Sequence, residues 1–115
     1  MLTVEKLKEY GADTGEGLSR CMNNEAFYLR LVGMALADDK LEKLGEALEA
    51  GDLDRAFEAA HALKGMYGNL SLTPVYAPVY EMTELLRKRT QTDYSPLLAE
   101  AKRQMQALVS LANSD

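Results

Sequence analysis

Apolar residues recur at spacings of three and four along almost the whole chain, which is the period of helices rather than strands. Residues 3–10 predict a short helix, capped by Thr3 and stopped at Gly11. Residues 13–17 carry turn chemistry, and 17–22 suffice for one or two helical turns. Asn23 and Asn24 can cap the next segment, where Phe27, Leu31, Met34 and Leu36 supply an apolar face up to residue 38. Leu41, Leu44 and Leu48 mark a helix over 40–50, ended by Gly51. Asp52 then caps the longest helix, 53–71, with Arg55 at its third position.

Thr73–Pro74 and Ser95–Pro96 each read as a cap followed by proline at the first helical position, opening helices that reach residues 89 and 112. Pro78 is expected within about the first turn, where a missing N–H costs little. Residues 75–80 come nearest to a strand, but two prolines and the continuing pattern Val75, Val79, Met82, Leu86 favour helix. Short connections between consecutive long helices imply antiparallel neighbours. The expected fold is all-α: an antiparallel four-helix bundle with two additional short N-terminal helices, one domain over residues 1–115.

Composition narrows the function. With 115 residues, 47% of them hydrophobic and 27% charged, the chain can bury a core as one globular domain. Thirteen basic against eighteen acidic residues leave a net charge of -5, which argues against a nucleic-acid or anionic-membrane binder. The single Cys21 has no partner for an internal disulfide. The first residues lack an apolar leader segment, and no apolar run approaches about 18 residues. A cytoplasmic protein with no membrane partner is expected.

The candidate chemistry sits on the longest helix. His61 is the one histidine of the chain. On a helical wheel Ala56, Ala60, Leu63, Tyr67 and Leu70 gather on one side, while Asp54, Glu58, His61, Gly65 and Gly68 gather on the other. At about 100° per residue, Gly65 and Gly68 lie within about 40° and 20° of His61, Lys64 about 60° to the other flank, and Phe57 about 40° away. A lone histidine is ordinarily a packed core residue or an idle surface one, and the wheel rejects the first. The glycines argue against the second. Each costs about 1 kcal/mol relative to alanine inside a helix, yet the apolar period runs on through Met66, Tyr67 and Leu70, so Gly65 is no stop signal. Two retained glycines clear space around an imidazole for a large partner. Lys64 can place a point charge on a phosphoryl oxygen. Neutral imidazole is an available nucleophile near pH 7, and in-line phosphoryl transfer asks mainly for positioning and charge stabilisation.

Ala60-His61-Ala62-Leu63-Lys64-Gly65, followed by Gly68-Asn69-Leu70, resembles the signature of histidine phosphotransfer (HPt) domains. Residues 17–25 resemble the stretch before that family's first long helix, and residues 46–52 the helix end before its histidine helix. The resemblance implies that His61 is the phosphoacceptor and Lys64 the supporting cation, with Gly65 and Gly68 giving clearance for docking. Phe57 would add apolar contact to the partner. It implies a phosphocarrier without autonomous catalysis, relaying between aspartates of receiver domains in a two-component phosphorelay. Its partners would be response-regulator receiver domains and a hybrid histidine kinase. The chain would carry no cofactor or metal, Mg²⁺ belonging to the partner receiver, and would act as a monomer. Met66 and Tyr67 stand where the family usually has small residues, and Ser71-Leu72 where Gly-Ala often follows, so a differently packed interior is expected.

The facing helix should add a second layer. Tyr80, Thr83, Glu84 and Arg87 share its face away from Val75, Val79, Met82 and Leu86, and Thr83 or Glu84 is the candidate to hydrogen-bond the imidazole. A merely solvated face is the competing reading. At the level of function the alternative is a non-catalytic helical interaction or scaffold module in which His61 is not phosphorylated. An ATP-using or hydrolytic enzyme finds no support, because neither a Gly-rich phosphate loop nor a nucleophile elbow is present. One histidine and one cysteine make a poor zinc site.

Overall fold

The computed structural model describes residues 1–114. Among them seven helices follow in order: α1 (Val4–Tyr10), α2 (Thr14–Arg20), α3 (Glu25–Ala37), α4 (Lys40–Glu49), α5 (Leu53–Asn69), α6 (Thr73–Arg87) and α7 (Ser95–Ala112). The helix starts explain most of these boundaries. Thr3, Asp13, Asn24 and Asp52 each accept a hydrogen bond from the backbone N–H three residues on, satisfying a donor that the helix cannot. At Asp13 this converts the expected turn into helix, so α2 begins at Thr14 rather than at 17.

The two cap-then-proline starts are shifted by one residue. Leu72 and Tyr94 hold the cap positions without side-chain bonds, leaving Thr73 and Ser95 as the first helical residues. The Ser95 N–H is satisfied instead by Asp93 Oδ1 at 2.9 Å. Pro78 is the sixth residue of α6, beyond the expected first turn, and it removes the backbone bond to Pro74. Burial of its ring accompanies that loss, and the helix continues to Arg87.

Helices α4 to α7 build the bundle. Consecutive helices pack pairwise, α4 on α5, α5 on α6 and α6 on α7, because their connections are short. At Gly45 an added Cβ would lie 3.4 Å from the Leu98 side chain, so α7 reaches α4 there through side chains. Leu44, Ala56, Ala60, Leu63, Val75, Val79, Met82, Leu86, Ala101 and Leu108 line the buried interior.

The two short N-terminal helices expected are α1 and α2, and the segment after them, α3, is 13 residues long, longer than α4. What differs from expectation is the face that α3 buries. Its buried face is Tyr28, Val32 and Ala35. Phe27 and Met34 are instead 43% and 60% exposed. The two sets are offset by a single residue, and tertiary packing chose between them. The Tyr28 ring enters beside Gly17, where a Cβ would sit 2.6 Å from it, and its hydroxyl donates to the Leu70 carbonyl at 2.9 Å. That bond ties α3 to the end of α5.

Candidate functional site

The core period of α5 fixes what its other face can present. Ala56, Ala60, Leu63 and Tyr67 are buried, so His61 and Gly65 point outward and are exposed. The imidazole is not idle in orientation. Phe57, one turn earlier, stacks against it with ring centroids 5.5 Å apart and planes 24° from parallel. The guanidinium carbons of Arg87 and Arg89 lie 5.2 Å and 4.9 Å from the Phe57 centroid. Phe57 is therefore half-buried and engaged within the chain, more a support for His61 than a free contact.

Both ends of this surface are fastened by helix C-termini that forgo glycine. Ser71 and Arg89 take positive φ, 56° and 51°. The N–H groups of Ser71 and Leu72 bond back to Gly68 and Tyr67, and those of Arg89 and Thr90 to Leu86 and Leu85. That pattern closes a helix with a left-handed residue, where glycine is favoured. Here the side chains are used. Ser71 donates to Glu16 Oε1 at 2.9 Å and accepts from Arg20, while Arg89 donates from Nε to Asp54 Oδ1 at 2.6 Å. Arg20 Nη1 also donates to the Gly68 carbonyl at 2.6 Å, placing a cation at the negative end of α5. Sequence reasoning missed Arg20; its spacing of four from Glu16 was the available signal.

A cleft of about 540 Å³ runs along this face, lined by His61, Lys64, Gly65 and Gly68 of α5 with Arg20 and Tyr76. The two glycines play different parts in it. A Cβ on Gly65 would meet nothing within 4 Å, so that flank is open. A Cβ on Gly68 would sit 2.9 Å from Tyr76, so its missing side chain makes room for the Tyr76 ring rather than for a partner.

The second layer also differs from expectation. Thr83 is fully buried and donates its hydroxyl to the Val79 carbonyl at 2.7 Å, the usual outlet for a helical threonine. It faces the core, not the imidazole. Glu84 does reach α5, but its partner is Lys64, with Nζ 3.4 Å from Oε2. Arg87 Nη2 lies 3.5 Å from the same oxygen. Burial alone would push the Glu84 carboxyl up, yet hydrogen bonding and charge from Lys64 and Arg87 prevail and hold it below the usual carboxylate range. The Lys64 ammonium also lies 4.9 Å from the Tyr80 ring centroid. Among the described residues the imidazole itself has no hydrogen-bond or ion-pair partner. Nor do the described residues gather three His, Cys, Asp or Glu into a group that could hold a metal ion. No described helix is long and apolar enough to cross a membrane.

An exposed, stacked imidazole beside a cation and an open flank suits attack on an external electrophile. The family model of the Hpt domain matches residues 34–111, well over half of the chain. The chain belongs to the Hpt domain family. The match takes in the end of α3, all of α4 to α6 and α7 up to residue 111, so residues 17–25 lie outside it. Hpt domains are helical phosphocarriers that serve phosphorelays, where they interact with receiver domains and kinases, and a histidine phosphotransfer role follows for this chain. No curated protein and no solved structure matches it.

Proposed function

We propose that this Hpt chain carries the phosphoryl group on His61 and relays it between aspartates of receiver domains, with Lys64 stabilising the transferred group. The observation that carries the reading is Gly65. Inside a helix glycine costs about 1 kcal/mol relative to alanine, and here no neighbour within 4 Å requires it. The open flank lies one turn from an exposed imidazole, where an incoming protein surface would need it. A receiver would dock over this face as a partner of a single monomeric chain, fed by a hybrid histidine kinase. A reducing, cytoplasmic setting suits the one unpaired thiol, Cys21.

In the transfer, the unprotonated imidazole nitrogen attacks the phosphorus of a receiver's aspartyl phosphate. The N–P bond forms as the P–O bond to aspartate breaks, the aspartate leaves as carboxylate, and the proton on the other ring nitrogen passes to solvent. Mg²⁺ on the receiver would hold the phosphoryl oxygens during the exchange. Phe57 fixes the ring plane through the stack, and Lys64 supplies charge as the dianion arrives.

Incubation with a phosphorylated receiver should place acid-labile label on the chain, and His61→Gln should abolish it. Label retained on His61→Gln would move the site elsewhere. Receiver binding without any label on the native chain would favour the scaffold alternative.

A further inference from the structure

Lys64 is not waiting beside the imidazole with its charge free. Its ammonium is held across the helix interface by Glu84 of α6 at 3.4 Å, over the face of Tyr80. Glu84 has a second cation at hand, Arg87 at 3.5 Å, and Arg87 in turn lies over Phe57, which stacks on His61. The five side chains His61, Phe57, Arg87, Glu84 and Lys64 thus form a collar that begins and ends on the same stretch of α5. Resting on the reading of His61 as phosphoacceptor, we propose that Glu84 is a positioning residue that competes with the phosphoryl group for Lys64 and keeps phosphohistidine a ready donor.

In the unphosphorylated state Lys64 neutralises Glu84. When His61 carries a phosphoryl group of about two negative charges, the same ammonium faces two claimants. Lys64 turns to the phosphoryl oxygens, and Glu84 keeps Arg87, so its carboxylate is not stranded. Losing the Lys64 contact leaves Glu84 with one cation instead of two, and that loss raises the phosphorylated state relative to the free one. No bond to phosphorus is made or broken by Glu84. It acts only through Lys64, in a half-exposed setting where such effects are modest and salt-sensitive.

The test is the equilibrium distribution of phosphoryl groups between one receiver and this chain. Glu84→Gln keeps shape and removes charge, and it should shift the distribution about two- to fivefold toward phosphohistidine, as expected for one exposed charge interaction. Half-saturation for the receiver should stay unchanged, and the shift should shrink at high salt. In a Lys64→Met background the same substitution should move the distribution much less, because the competition is gone. An unchanged distribution, a shift toward the receiver, or an equal shift with and without Lys64 would each overturn the proposal. Absence of label on the native chain would instead defeat the reading of His61 on which it rests. Circular dichroism on each variant separates loss of fold from loss of competition.

Discussion

Gly17 and Gly65 both lie inside helices, and the space beside them is opposite. Next to Gly17 the Tyr28 ring comes so close that a methyl group would overlap it at 2.6 Å. Next to Gly65 there is nothing. The first glycine exists for the fold, since it lets α3 anchor to the end of α5. The second does nothing for packing, and unlike the equally open Gly33 it lies one turn from His61, where a docking surface would use the space. Gly68 resembles Gly17 in kind, being filled by Tyr76. A missing side chain on α2 is thus used to pack, and one on α5, at Gly65, is used to stay open.

Alkaline pH should expose the packed side of this contrast most strongly. Burial pushes the Tyr28 hydroxyl up to about 12, and burial likewise raises Tyr10 and Tyr67. A raised folded-state value means the native protein holds these protons more tightly than the unfolded chain does. Their contribution is complete below about pH 10 and is lost as pH rises toward the folded values. Tyrosinate absorbance should therefore rise together with loss of helical circular dichroism. Titration of all three with the helices intact would contradict the burial argument.

Substitution at Gly17 comes next. Gly17→Ala should destabilise by about 1–3 kcal/mol in urea denaturation, the range for overpacking a closed site. A neutral result would mean that Tyr28 can retreat. Tyr28→Phe should cost about 1–2 kcal/mol, because the Leu70 carbonyl would lose the donor that α3 brings to it. The smallest stability effect belongs to the open glycine. Gly65→Ala should raise stability by up to about 1 kcal/mol while slowing phosphoryl transfer. Gly33 provides the control, since a Cβ there also meets nothing within 4 Å. Gly33→Ala should stabilise similarly and leave transfer unchanged. If both substitutions leave transfer unchanged, the open flank has no docking role.

Much of the fold was legible because helix starts and periods are local. Asn24 and Asp52 cap where their side chains predict, and the stripe of Ala56, Ala60, Leu63 and Tyr67 is the buried face of α5. The errors are also physical. Periods over Phe27–Met34 and Tyr28–Ala35 are equally regular, and a tyrosine reads as less apolar than phenylalanine until its hydroxyl finds a buried acceptor. Thr83 looked outward on the wheel, but a threonine can satisfy its hydroxyl on its own helix and then be buried. At Gly65 and Gly68 the wheel shows neighbours on α5 and is blind to Tyr76 on α6.

The amino-acid sequence by itself determined that the chain is helical, that its one histidine lies opposite a core stripe, and that a lysine and two glycines accompany it. Those are consequences of 3.6-residue periodicity, which acts over a few residues. Only the tertiary structure decided which glycine stays open, that Lys64 is held by Glu84, and that Arg20 and Arg89 fasten the two ends of the site. Each of those outcomes depends on a side chain brought from another helix, and no local period encodes where that helix will lie.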